Sequence, residues 1–325
     1  MNASVSDIFN SAIVACGISA FDELGLLEEL QDEGSIDVAA LCADRELHAP
    51  SIKALILGLH KARIVALDED RGIVVRGPLF GETLMNKAYF LWLVRGYGHM
   101  LANMATLVQN KHRNGAFIQR DGDYIALPGR NYGARFVDGY FDRVLREEPF
   151  RVAADLGCGS ANRLMELAKE RPDFRGVGVE LNCEAVERAT RTIEAQKLTG
   201  RVTVVQGDVK HLAPRPEYEE VDVIFSFFMG HDLWPREKCL ECLDRIQRVF
   251  PNAKRFLLSD TYRSDLAIER GFPIFTYGFE MTHAIMGQSI PTISEWLELF
   301  EESPWTCVKR KEIGIPFSCI FDLRR

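Results

Sequence analysis

The sequence predicts an α/β protein: an open, mostly parallel sheet in the C-terminal half, preceded by a mainly helical module with a winged-helix pattern. Three observations carry this. From Pro149 onward, short apolar strands alternate with amphipathic helices, as βαβ units require. Asp155-Leu156-Gly157-Cys158-Gly159 follows the first of these strands and opens a helix, which is where a parallel sheet binds its ligand. The N-terminal part instead has helical periodicity and one hairpin signal. A chain of 325 residues accommodates two domains, here 1–145 and 146–325.

The N-terminal elements follow in order. Ile8, Ala12, Ala15, Ile18 and the run from Ala20 to Leu30 form an apolar stripe. Ile36 to Leu41 reads as a short helix, and Pro50 opens a second through Leu55, Ile56 and Leu59. Ile64–Leu67, a turn over Asp68 to Gly72, and Ile73–Val75 form a hairpin. A DNA-binding reading fails on charge, because Lys53, Lys61 and Arg63 offer too few phosphate contacts; the module is expected to dimerise. Phe80 to Asn110 is helical and aromatic, and Gly115 to Gly139 is a polar, glycine-rich loop.

In the second half, strands are expected at Arg151–Leu156, Gly176–Leu181, Arg201–Gln206, Val221–Phe228 and Arg255–Ser259. Helices lie at Arg163–Lys169, Glu184–Lys197 and Pro235–Phe250. A helix at Ser294–Glu302 and a hairpin formed by Thr306–Ile313 and Pro316–Leu323 close the chain.

Apolar residues make up 47% and charged residues 26%, a globular balance that excludes disorder. Lys and Arg total 39 against 47 Asp and Glu, a net charge of −8 that speaks against nucleic-acid and anionic-membrane partners. The acidity is local. Asp7, Asp22, Glu23, Glu28, Glu29, Asp32 and Glu33 fall within residues 1–35, which hold no Lys or Arg. The rest is nearly neutral and can accept an anionic substrate. No apolar run of the ~18 residues that span a bilayer is expected, and no basic leader precedes an apolar one. Eight cysteines without regular spacing read as reduced thiols, so the protein is expected in the cytoplasm.

Gly157 and Gly159 let the backbone turn sharply against a bound cofactor. A dinucleotide site would have a third glycine where Asn162 stands, and Asp155 repels pyrophosphate but suits a cation. Glu180 ends the second strand, placed for ribose hydroxyls, and Gly207-Asp208 ends the third, placed for an adenine amine. These three elements in register resemble the class I S-adenosylmethionine-dependent methyltransferases. The resemblance implies a Rossmann-like sheet, a cofactor site that also uses Cys158, Val209, Ser226 and Phe227, and an N-terminal dimerisation domain like that of plant and polyketide O-methyltransferases. A homodimer is expected.

The fourth strand runs into Phe228-Met229-Gly230-His231-Asp232-Leu233-Trp234, which places His231 and Asp232 beside the methyl donor. In small-molecule O-methyltransferases a similar segment supplies a histidine general base, and an imidazole pKa near ~6.5 suits that task. Met-Gly-His-Asp combined with His283 further on also resembles the metal-dependent C-methyltransferases of 2-oxo acids. That resemblance implies a small 2-oxo acid substrate and a transition metal on His231 and His283, iron first and zinc or nickel next. A metal on the carboxylate and carbonyl oxygens lowers the pKa of the β-carbon. Asp232 is a third ligand, an orienting partner of His231 or the base, and the residues do not choose. A metal-bound water serves equally as base. A third reading is a winged-helix regulator that senses the cofactor, which the charge count disfavours.

The substrate carboxylate calls for an arginine. Arg120 is the candidate, with Arg95, Arg130 and Arg135 behind it. Trp92, Tyr97, Tyr132 and Phe228 are candidate pocket walls. Cys239-Leu240-Glu241-Cys242 lacks a second pair, and His48, His60, His99, His112 and His211 lack partners in the sequence, so all are read as structural or solvated.

Overall fold

The structure is a computed structural model and describes residues 4–113, 124–125, 133–264 and 273–325. The chain divides into Met1–Tyr132 and Gly133–Arg325.

The first unit opens with the helix Val5–Glu23. Its capping box has Ser4 Oγ accepting from the Asp7 N–H while the Asp7 carboxylate accepts from the Ser4 N–H. The helix Leu26–Glu33 follows, and its Leu26, Leu27 and Leu30 pack into a core with Phe21, Ile56, Leu59 and Val74. Three strands, β1 (Ser35–Asp37), β2 (Val65–Asp68) and β3 (Ile73–Arg76), form an antiparallel sheet ordered β1-β3-β2. The hairpin was legible, but β1 was not. Ile36–Leu41 was expected to be helical throughout; instead Ile36 pairs with Val74, and Asp37 caps the helix Val38–Asp44 by accepting from the Ala39 and Ala40 amides. The segment after Phe80 is helical, as expected, through Phe80–Leu91 and a π-helical turn at Trp92–Gly96.

One expectation is corrected here. The 19-residue helix Val5–Glu23, with mean hydropathy 1.2, is long and apolar enough to cross a membrane by length and composition. Its Ile18, Ser19 and Phe21 are buried in this unit, whereas Val5, Ile8, Phe9 and Ile13 are exposed on its first turns.

The second unit is built on a seven-stranded sheet. Its strands are β4 (Val152–Leu156), β5 (Arg175–Glu180), β6 (Val202–Gln206), β7 (Val223–Phe227), β8 (Arg255–Thr261), β9 (Thr306–Glu312) and β10 (Ser318–Arg324). The order is β6-β5-β4-β7-β8-β10-β9, with β10 antiparallel to both its neighbours and the other pairs parallel. Strand order therefore reverses at β4, and the crevice at the carboxyl ends of β4 and β7 is where such a sheet binds ligands. Helices Asn162–Glu170, Cys183–Ala195 and Arg236–Val249 make the crossovers. β4 and β8 are buried along their whole length, which is why they read as strands from composition alone. β9 exposes Lys309, Arg310, Lys311 and Glu312, charges that protect the sheet edge.

The division falls at 132/133 rather than 145/146. Gly133–Val137 is a π-helical turn and Asp138–Leu145 a helix, not the end of a loop. The Phe141 ring meets Phe225 and Phe227 edge-on, with centroids 5.1 and 4.8 Å apart. Arg255 on β8 donates to the Val144 and Leu145 carbonyls and pairs with Asp322 on β10 at 3.1 and 2.7 Å. This guanidinium and carboxylate are both buried. Asp322→Ala would strand the Arg255 charge and is expected to lower stability by about 3–5 kcal/mol in chemical denaturation. A loss under ~1 kcal/mol would show that the helix is held without the pair.

Candidate active site

β4 leads into a turn in which Gly157 (φ +74°), Gly159 (φ +52°) and Ala161 (φ +56°) take left-handed conformations. The Gly157 and Cys158 amides donate to the Val179 carbonyl at 2.9 and 3.1 Å, laying the turn across the end of β5. The Cys158 side chain packs over Gly178, where a Cβ would stand 2.5 Å from Sγ, so only glycine admits it there. Burial pushes the Cys158 thiol well above its ordinary pKa.

Asp155 is buried at 3% exposure. Its pKa is pushed up to about 7, first by burial, with the Arg163 charge opposing and Glu180 adding. Glu180 accepts from the Gly159 amide through Oε2 and from the Asn182 amide through Oε1, both at 2.9 Å, and so braces the turn. Asp208 follows Gly207 and caps the turn Val209–His211. Burial acts to raise its pKa, but the His211 side chain (2.8 Å) and the Lys210 amide (2.9 Å) outweigh it and lower the value. His211 thus has a partner that its sequence position did not announce. Asp155, Glu180 and Asp208 stand at the carboxyl ends of β4, β5 and β6, in the register expected.

Ser226 differs from expectation. It is fully buried and its hydroxyl donates to the Leu156 carbonyl at 2.8 Å, joining β7 to β4 rather than facing a ligand. The Phe227 ring lies under the Arg163 guanidinium at 3.7 Å, and Arg163 is also paired with Asp138. Val209 is buried in the core.

β7 is followed by Phe228 at φ +51° and then by the 3₁₀ turn Gly230–Leu233. This turn carries His231, buried at 3% exposure. Its backbone N–H donates to Asp260 Oδ2 at 2.6 Å, and Nδ1 lies 2.8 Å from Asp260 Oδ1. Since a carboxylate accepts, Nδ1 bears the proton and Nε2 the lone pair. A Cβ on residue 230 would lie 2.7 Å from Asp260 Oδ2, so glycine there allows the approach. His283, on the helix Thr276–Met286, is 1% exposed, and its Nδ1 donates to the Phe279 carbonyl at 2.7 Å. The same logic leaves its lone pair on Nε2. The two imidazole centroids are 4.8 Å apart with planes at 86°.

Asp232 is not the partner that orients His231; Asp260 is. Asp232 Oδ1 lies 3.8 Å from His231 Nε2 and accepts from Gln288 Nε2. Among the described residues, no group of three or more His, Cys, Asp and Glu side chains is placed to hold a metal ion. Among the described residues the two imidazoles thus stand as a pair, with the Asp232 carboxylate beside His231. Asp260 and Gln288 are functional candidates that the sequence reading missed. The signal for Asp260 was an acid just past the apolar run Phe256 to Leu258; nothing in the sequence marks Gln288.

Of the arginines, Arg120 and Arg130 lie outside the described residues, as do Tyr132 and the side chain of Arg135. Arg95 is engaged within the first unit by Glu23 at 3.6 Å and the Tyr124 hydroxyl at 3.1 Å. Trp92 and Tyr97 pack on each other in the same unit, centroids 4.5 Å apart. Cys239 and Cys242 are buried, with burial raising both thiols.

Comparison with known proteins agrees with this geometry. A methyltransferase domain family model matches residues 152–303. The methyltransferase ungE' of Aspergillus campestris is 36% identical over 330 aligned positions, spanning 98% of this chain and 96% of its own. Indolepyruvate C-methyltransferase of Streptomyces griseus is 26% identical over 97% of this chain and 93% of its own. Among solved structures, mitomycin 7-O-methyltransferase MmcR superposes with a TM-score of 0.68 at 18% identity, covering 99% of this chain and 96% of that one, and shares the helical N-terminal module and Rossmann-like sheet. With a relative this similar over nearly its full length and acids at the ends of three adjacent strands, the chain belongs to the class I S-adenosylmethionine-dependent methyltransferases.

Proposed function

We propose that this enzyme methylates the β-carbon of a small 2-oxo acid, as a homodimer and in a natural-product setting. The observation that carries the reading is the pair of buried imidazoles, each with Nδ1 held by an acceptor so that Nε2 bears the lone pair. That arrangement is how proteins prepare histidines to ligate a metal. A full-length relative that is an indolepyruvate C-methyltransferase supports it. The donor set suits a first-row transition metal, iron first and zinc or nickel next, with two protein nitrogens leaving positions for oxygen ligands. When bound, the metal would act as a Lewis acid toward the 2-oxo group.

The remaining work falls to side chains. Asp232, beside His231 and tethered by Gln288, accepts the β-proton. The carbon nucleophile attacks the sulfonium methyl in line, S-adenosylhomocysteine leaves, and catalysis comes largely from positioning. Asp155 offsets the cofactor's positive charge, Glu180 receives its ribose hydroxyls and Asp208 its adenine amine. Arg120 remains the candidate for the substrate carboxylate, and its replacement by Leu should raise KM for the 2-oxo acid without changing cofactor affinity. The enzyme is expected to exchange the β-proton of a 2-oxo acid with deuterated solvent without cofactor, and to carry stoichiometric metal when prepared without chelators. The absence of both exchange and metal would sink the proposal.

A second reading is favoured by the Asp260–His231 pair, which is also the geometry of a histidine general base. An O-methyltransferase of that kind would transfer methyl to a hydroxyl and survive metal removal.

Cofactor binding should depend on pH. Asp155 has a pKa of about 7 in the ligand-free protein, and a cationic cofactor binds its anion. Binding below pH 7 must therefore expel a proton, so affinity should fall about tenfold per unit from pH 7 to 5.5 and be flat just above 7. Asp155→Asn should abolish the slope in calorimetric titrations. A flat wild-type profile would show that this carboxylate does not meet the cofactor's charge.

The homodimer is supported by exposed Val5, Ile8, Phe9 and Ile13, an apolar stripe on one helix. Phe9→Glu should shift the protein to monomer in sedimentation; a wild type already monomeric would end this part of the proposal.

A further inference from the structure

We propose that Gln288 is a positioning residue, a clamp that holds the His283 segment against the turn bearing His231 and Asp232. Its backbone belongs to one segment. The helix Thr276–Met286 ends at Gly287 with φ +86°, and the next amide, of Gln288, reaches back to the His283 carbonyl at 2.9 Å. That Schellman-type closure fixes the Gln288 backbone one hydrogen bond from His283. Its side chain belongs to the other segment, because Nε2 donates to Asp232 Oδ1 across 56 positions of sequence.

Donation from an amide to a carboxylate is charge-assisted and directional. It therefore constrains the Asp232 carboxylate more tightly than packing would. Gln288 Oε1 is buried without a hydrogen-bond partner among the described residues. Among the described residues, the Asp232 bond is thus the hydrogen bond that orients this side chain. A run of contacts results: Asp260 to His231, the neighbouring Asp232 to Gln288, Gln288 to His283, and His283 to the Phe279 carbonyl. Each imidazole is oriented by its own acceptor, and Gln288 sets where one lies relative to the other.

The catalytic consequence rests on the proposed 2-oxo acid chemistry, but the clamp itself is testable without it. Gln288→Met keeps the length and removes the donor. In the full-length protein, side-chain NMR should show the His231 and His283 ring signals both moving or broadening, with His60 in the first unit as the unaffected control. kcat for methyl transfer should fall about 10- to 100-fold, with KM for S-adenosylmethionine and the melting temperature unchanged. Unchanged signals for both histidines, or turnover equal to wild type, would overturn the clamp. So would a lowered kcat accompanied by an equal loss of cofactor affinity, since that marks a general structural defect. Should no 2-oxo acid be turned over by wild type, the functional proposal fails while the NMR comparison still decides the clamp.

Discussion

Replacing His283 by Ala should lower methyl transfer to a 2-oxo acid by about 10³-fold or more, some 4 kcal/mol of transition-state stabilisation. Cofactor affinity should stay within about twofold, because Asp155, Glu180 and Asp208 sit on other strands. His283 has one buried side of its ring against Phe279, centroids 4.0 Å apart, and its Nδ1 committed to a carbonyl. Alanine removes the Nε2 lone pair and leaves the helix intact, since the i−4 carbonyl it releases still accepts the backbone bond of its turn. Metal content should fall in parallel with activity. A His283→Ala protein that keeps both metal and turnover would show that this ligand is misassigned. One that loses metal yet still methylates a hydroxyl would favour the O-methyltransferase reading.

Asp260→Asn is expected to cost about 10³- to 10⁴-fold in turnover, with a stability loss of about 1–3 kcal/mol for the buried N–H left unpaired. The carboxylate accepts three hydrogen bonds in the structure, from the His231 backbone at 2.6 Å, its Nδ1 at 2.8 Å and the Thr261 amide at 2.7 Å. Asparagine keeps one acceptor oxygen for these three donors, so whichever way its amide faces, its NH2 meets an N–H of His231, either the ring's or the backbone's. Facing the ring, it drives the proton to Nε2, the nitrogen required either to hold a metal or to take a proton; facing the backbone, it displaces the turn that carries the ring. Both chemical readings lose activity, so this variant tests the role of Asp260 and not the choice between them. Turnover above about a tenth of wild type, with thermal denaturation unchanged, would show that the tautomer is set by something else.

The parallel sheet was legible because β4, β5 and β8 are buried over most of their length and each carries a short apolar run, punctuated by a glycine turn whose sequence is local. Asp155 and Glu180 were legible for the same reason, each following directly on apolar residues, and Asp208 because Gly207 marks the end of β6. Legibility failed where position depends on pairing. β8 was expected to stop at Ser259, where the run turns polar, but its ladder with β10 continues through Cys319↔Asp260 and Ser318↔Thr261. Those two added positions bring Asp260 beneath His231. β1 was missed likewise, because Ile36 is a strand residue only by virtue of Val74. Gln288 could not be read at all, since a glutamine after a helix-ending glycine has no local signature of a distant aspartate.

The placement of β8 between β7 and β10 has a dynamic consequence. β8 is laddered on both sides as far as Ser259, to β7 and to β10, and Asp260 follows directly, paired with Cys319 of β10. Amide exchange across Phe256 to Ser259 should therefore be slow, reporting global unfolding rather than local breathing. The turn Gly230–Leu233 and the helix bearing His283 have no such double anchoring and can open at lower free energy. The acid that directs the imidazole thus extends directly from the most firmly paired stretch of the sheet, and the His231 ring takes its orientation from that fixed point.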